Sequence, residues 1–181
     1  PSPVLSELKK LLAERILLLD GAMGTMLQRL DYEEKDFRGL RFQNHSHDLK
    51  GNNDLLTLTQ PQAVYDVYTA YLNAGSDIIE TNTFNANRIS QADYAMGDVV
   101  VEMNLQAARL AKQATADLFK RTGRKAYVAG ALGPTNKTLS ISPDVSNPAF
   151  RGADFDEVAQ TYFEQAEALI NGGADLLMPE T

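Results

Sequence analysis

Three acids occupy one recurring kind of position in this chain. Asp20 closes the run Ile16-Leu17-Leu18-Leu19, Glu80 closes Asp77-Ile78-Ile79, and Glu180 follows the run from Ala174 to Pro179. Each apolar run is too short for a lone helix and suits a buried strand. In α/β enzymes a strand that ends in an acid presents it at the carboxyl edge of the sheet, where ligands bind. The first acid also opens Asp20-Gly21-Ala22-Met23-Gly24, a turn with little side-chain bulk. Carboxylates facing an ammonium, with the backbone amides of Gly21 and Ala22 facing a carboxylate, would suit an amino acid. The same residue types also serve a magnesium site or a general acid/base pair.

Other chemistry-bearing residues point to less. His45 and His47 are close in sequence, but two histidines without further ligands read as solvated loop residues. Tyr65, Tyr68 and Tyr71 fall near helical spacing and read as packing. Gly130 to Gly133 lacks the Lys-Ser/Thr of a phosphate loop, which argues against a nucleotide site. With no cysteine, neither disulfides nor thiolate metal sites can form within the chain. A net charge of -7 without a basic cluster argues against nucleic acid as a partner. No apolar run reaches the ~18 residues of a membrane span, and Pro1 to Arg15 lacks a signal-peptide core. Cytoplasm is the default location.

The elements that must position these acids alternate. Ser6 to Glu14 reads as a lead-in helix capped by Ser6, able to plug the bottom of a sheet or barrel. The spacing predicts strands at Ile16 to Leu19, Asp77 to Thr81, Ala126 to Ala131 and Ala174 to Glu180. Between them lie helices: a short one at Met26 to Leu30, one opening at Thr59-Gln60-Pro61, and Ile89 to Arg121 in two pieces broken near Gly97. A last helix, Phe155 to Ile170, places Val158, Tyr162, Ala166 and Leu169 in register. Tyr32 to Asn53 and Gly133 to Phe150 are long loops of the kind that carry function. Strands alternating with long helices imply crossovers and a parallel sheet. The fold class is therefore α/β, with about four parallel βα units and long loops at the carboxyl ends, as in a partial TIM barrel.

Four ordered motifs carry a resemblance. They are Asp20-Gly21-Ala22-Met23-Gly24-Thr25, Leu49-Lys50-Gly51-Asn52-Asn53-Asp54, Glu80-Thr81-Asn82-Thr83-Phe84-Asn85, and Gly133-Pro134-Thr135-Asn136 through Ser140-Ile141-Ser142-Pro143-Asp144-Val145. Together they resemble the homocysteine S-methyltransferase family, and the second and fourth resemble its cobalamin-dependent methionine synthase branch. The resemblance implies a zinc-dependent TIM barrel in which homocysteine thiolate takes a methyl group from cobalamin, giving methionine. It places the substrate amino group on Asp20 and Glu180, the carboxylate on the amides of Gly21 and Ala22, and Glu80 on the pocket wall.

Family zinc ligands are three cysteines from later strands, and this chain has neither, so no catalytic or metal-ligating residue is assigned here. Residues 1–181 then read as the first half of the barrel, cut after strand four and inactive alone. Its partners would be homocysteine, the remaining half-barrel, and folate- and cobalamin-binding modules. Open sheet edges would also permit self-association. Pro179, where the family has an aliphatic residue, bears on how the last strand pairs. The alternatives are a self-contained half-barrel binding module and a metal-dependent lyase using Asp20, Glu80 and Glu180.

Overall fold

The computed structural model describes residues 2–180. Its sheet has three parallel strands in the order β1 (Ile78–Glu80), β2 (Tyr127–Leu132) and β3 (Leu176–Pro179). Ile79 pairs with Val128, and Gly130 with Leu177. The helices are α1 (Pro3–Glu14), α2 (Met23–Gln28), α3 (Glu34–Arg38), α4 (Leu56–Thr59), α5 (Pro61–Ala74), α6 (Arg88–Gln91), α7 (Val100–Thr122) and α8 (Phe155–Gly172). No helix among the described residues is long and apolar enough to cross a membrane.

Three of the four expected strands form. The fourth, Ile16 to Leu19, does not: it makes one isolated parallel bridge, Leu19 to Ile78. Ile16 is 83% exposed, Leu18 55% and Leu19 43%, so this apolar run is not buried on both faces. Its backbone still runs beside β1, with Asp77 and Ile78 donating to Leu18 O and Asp20 donating to Ile78 O. One neighbour, on one side, holds it.

Packing explains why the helices form where they do. Pro61 opens α5 at a position whose amide has no helical partner, and α5 buries Val64, Val67, Tyr68 and Leu72. Burying the valines and Leu72 contributes roughly 1.5–3 kcal/mol each. α7 packs between α5 and α8 and against β2. Its buried stripe includes Ala107, Ala108, Ala111 and Ala114. Small residues let α8 come close: a Cβ on Gly172 would lie 2.6 Å from the Ala108 Cβ. Gly75 and Gly173 end α5 and α8 at φ of 114° and 102°, a turn that favours glycine and leads directly into the next strand.

Several local expectations are corrected. Ser2, not Ser6, caps α1, its side chain accepting from the Leu5 amide. α1 buries no residue, so it is not a plug; Glu7 ties it to Lys125 at the amino end of β2. The stretch from Tyr32 to Asn53 is not wholly irregular, because α3 forms there behind a capping box between Glu33 and Asp36. The region from Ile89 onward does break near Gly97, as short 3-10 turns at Ala92–Tyr94 and Gly97–Val99. On α8 the buried face is Thr161, Gln165, Ala168, Leu169 and Gly172, with Val158, Tyr162 and Ala166 only half-buried along its flank. That face is partly polar because Gln165 donates to Thr83 O in the loop after β1.

Pro179 pairs in the sheet opposite Leu132. Asp175 donates its amide to Val128 O, and alternate residues of a strand face the same neighbour, so the nitrogen of residue 179 faces Leu132 O. Proline has no N–H to give. Glu180 supplies it instead, donating to Leu132 O at 3.0 Å. The backbone of the acid after the proline is thereby tied to the end of β2.

Candidate functional site

A cleft of about 460 Å³ lies at the carboxyl ends of the strands. Asp20, Gly21, Ala22, Glu80 and Glu180, the five residues singled out from sequence, all line it. Asp20 arrives on the segment beside β1, Glu80 ends β1, and Glu180 follows β3. Among the described residues no lysine, arginine or histidine lines the cleft.

The electrostatics follow from burial without a counter-charge. The Asp20 carboxyl accepts the Glu80 amide, with both oxygens 3.1 Å from the nitrogen. Burial nevertheless pushes it up to about 7, and the nearby Glu180 charge adds to the rise. Glu80 is pushed up to about 8, first by burial, then by hydrogen-bonding contact with the Glu180 carboxyl and the charges of Glu180 and Asp20. Glu180 Oε1 is buried with no hydrogen-bond partner among the described residues. A site like this attracts cations, and ammonium groups above all, since they bring donors as well as charge.

The walls come from residues that sequence reasoning quoted as motifs but gave no role. After β1, Thr81 and Thr83 hydroxyls meet at 2.6 Å, Thr83 donates to Ala131 O, and Ala131 donates to Thr81 Oγ1. Asn82 takes the Tyr68 hydroxyl with its amide and donates its side chain to Asn53 O. Asn52 and Gln91 form a reciprocal buried amide pair. Asp54, buried and lining the cleft, accepts the Asn85 amide at 2.9 Å; burial raises it to about 6. Gly133 is obligatory by close approach: a Cβ there would lie 2.3 Å from Phe84 O. That approach seats Phe84, 41% exposed, at the cleft wall. The density of Asn and Thr at 51–54 and 81–87 was the available signal, since buried loops with such side chains supply their own partners.

Tyr68 is fully buried packing, as the spacing predicts, and doubles as the acceptor for Asn82. His45 Nε2 lies 2.7 Å from Tyr94 O and His47 Nδ1 2.9 Å from Ser46 Oγ, outside the cleft. Among the described residues no group of three or more His, Cys, Asp or Glu side chains is placed to hold a metal ion.

A sequence profile of the homocysteine S-methyltransferase family matches residues 17–181. The chain belongs to that family. The match covers the cleft and every strand and leaves α1 outside. Three structures of the homocysteine methyltransferase MmuM from Escherichia coli have the same fold. The metallated form is 21% identical with a TM-score of 0.71, over 96% of this chain and 56% of that one. The oxidised form gives 23% identity and 0.69, over 94% and 55%. The apo form gives 21% and 0.61, over 92% and 50%. The chain therefore spans about half the length of these methyltransferases.

The family and its metallated relative raise the question of zinc. Zinc in such enzymes takes thiolate or imidazole ligands. This cleft offers carboxylates and amides, the chain has no cysteine, and neither histidine lines the cleft. The residues present do not fit zinc.

Proposed function

We propose that this chain is the amino-acid-binding half of a homocysteine S-methyltransferase barrel. In this reading Asp20 and Glu180 hold the α-ammonium of homocysteine, the amides of Gly21 and Ala22 hold its carboxylate, and Glu80 closes the wall between the two acids. The observation that carries it is the convergence of three carboxyl groups in one cleft without a basic residue. An amino acid would add one positive charge and three N–H donors where buried oxygens lack both.

The Leu49 to Asp54 and Gly133 to Val145 motifs support assignment to the cobalamin-dependent methionine synthase branch, with methionine as product. Thiol activation by zinc and delivery of the methyl group would fall to residues and modules beyond these 181, so the chain alone would not transfer a methyl group. The chain's own residues would bind and orient the substrate so that its side chain leaves the acidic end of the cleft along Phe84.

Calorimetric titration tests this. Homocysteine should bind the isolated chain, and the analogue lacking its amino group should bind at least tenfold more weakly, since a charge-assisted contact contributes ~1.5–3 kcal/mol. Equal affinity for the two overturns the reading. Magnesium binding without homocysteine affinity would favour a metal-dependent lyase instead, and a dimer by size-exclusion mass measurement would favour a self-contained half-barrel module.

A further inference from the structure

We infer that an amino acid enters this cleft in exchange for a proton, and that the Glu80–Glu180 carboxyl pair is the group that gives the proton up. This rests on the ammonium reading above and adds to it a stoichiometry and a residue.

Asp20, Glu80 and Glu180 line one cleft; carboxyl groups gathered there offer only acceptors and repel when all are ionised, so the cluster favours holding a proton. The groups facing Glu80 are Asp20, from the segment beside β1, and Glu180, after β3. Asp54 is the other acid lining the cleft, and the Tyr68 hydroxyl behind the wall accepts the Asn82 amide. Among the described residues that line the cleft none carries positive charge, so nothing there replaces the proton. Glu180 Oε1, buried and without a partner, is left as an acceptor awaiting a donor. An arriving ammonium supplies both needs: it donates to the free oxygens and stabilises both carboxylates by charge.

The exchange balances without covalent change. The carboxyl pair with its one proton, and a free ammonium, become two carboxylates around a bound ammonium, and one proton passes to the buffer. The position of Glu80 at about 8 means that the pair holds most of one proton at neutral pH. Near pH 7 the released amount should be about 0.5–1 proton per ligand bound.

Methionine is the suitable probe, because its side chain has no group that titrates. Titrating the 181-residue chain with methionine at pH 7, in two buffers of different ionisation heat, gives the number of protons released. Glu80→Gln should release fewer protons than the natural chain by the pair's amount above, the remainder coming from Asp20, with the proton count rather than the affinity as readout. An infrared band of protonated carboxyl that disappears on adding methionine to the natural chain checks the same exchange without a variant. Binding with no proton released and no loss of that band overturns the exchange but leaves the ammonium reading standing. Proton release undiminished in Glu80→Gln overturns the assignment to this pair. No binding of either methionine or homocysteine to a chain folded by circular dichroism overturns both.

Discussion

β1 and β3 each carry an acid at both ends, and the two ends behave oppositely. At the amino ends Asp77 and Asp175 are answered in full. Asp77 takes a bidentate pair from Arg15 at 2.7 Å and the Leu18 amide at 2.9 Å. Asp175 takes Lys112 at 2.9 Å and the Val128 amide at 2.8 Å. The Arg15 contact holds Asp77 below the usual carboxylate range against the burial that opposes it. At the carboxyl ends Glu80 and Glu180 face each other and Asp20, with no cation lining the cleft. Residues of one type, a few positions apart, thus brace the sheet at one end and leave unmet charge at the other. What separates them is the partner the fold supplies.

The largest effect expected from breaking this contrast is at the satisfied end. Asp77→Ala leaves the Leu18 amide and the Arg15 guanidinium without their acceptor and should cost about 3 kcal/mol in urea unfolding. Homocysteine affinity per folded molecule should stay the same. At the open end Asp20→Ala should do the reverse, weakening homocysteine binding by roughly 30-fold, or ~2 kcal/mol, with no loss of melting temperature. If both variants lose stability and both keep binding, the division between the ends is wrong.

The smallest effect is in pH dependence, and its sign differs between the ends. Asp20 titrates near 7 when folded and near 3.9 when unfolded, so the folded chain binds more protons between those values. Its contribution therefore falls as pH rises from about 4 to 7, and the penalty is complete above that. Asp20→Asn should stabilise the ligand-free chain by about 1–2 kcal/mol at pH 8 and by nothing at pH 4, measured by denaturant midpoint. Asp77, lowered on folding, contributes its stability above its unfolded value and loses it as pH falls through the lower folded one.

The strands β1, β2 and β3 and the helices α5, α7 and α8 were legible because apolar runs and helix start and stop residues are local signals. Ile16 to Leu19 misled for the same reason: the run is apolar, yet only β1 lies beside it, and periodicity does not say how many neighbours a strand has. The polar face of α8 was hidden because Gln165 is spoken for by Thr83, 82 residues earlier. The acids of the cleft could be read from strand ends. The walls could not, since Asn52 finds Gln91 and Asp54 finds Asn85 only once the chain has folded.

The scaffold that holds the loops around those acids is built mostly from hydroxyls and amides: Thr81 with Thr83, Asn82 with Asn53, and Asn52 with Gln91. None of these side chains gains or loses charge between weakly acidic and weakly alkaline solution. The floor of the cleft can therefore change its electrical state while its frame keeps the same shape, Asp54 being the one hinge of that frame able to respond. Ligand affinity followed across neutral pH would then report the voltage of the hollow, not a rearrangement of its rim.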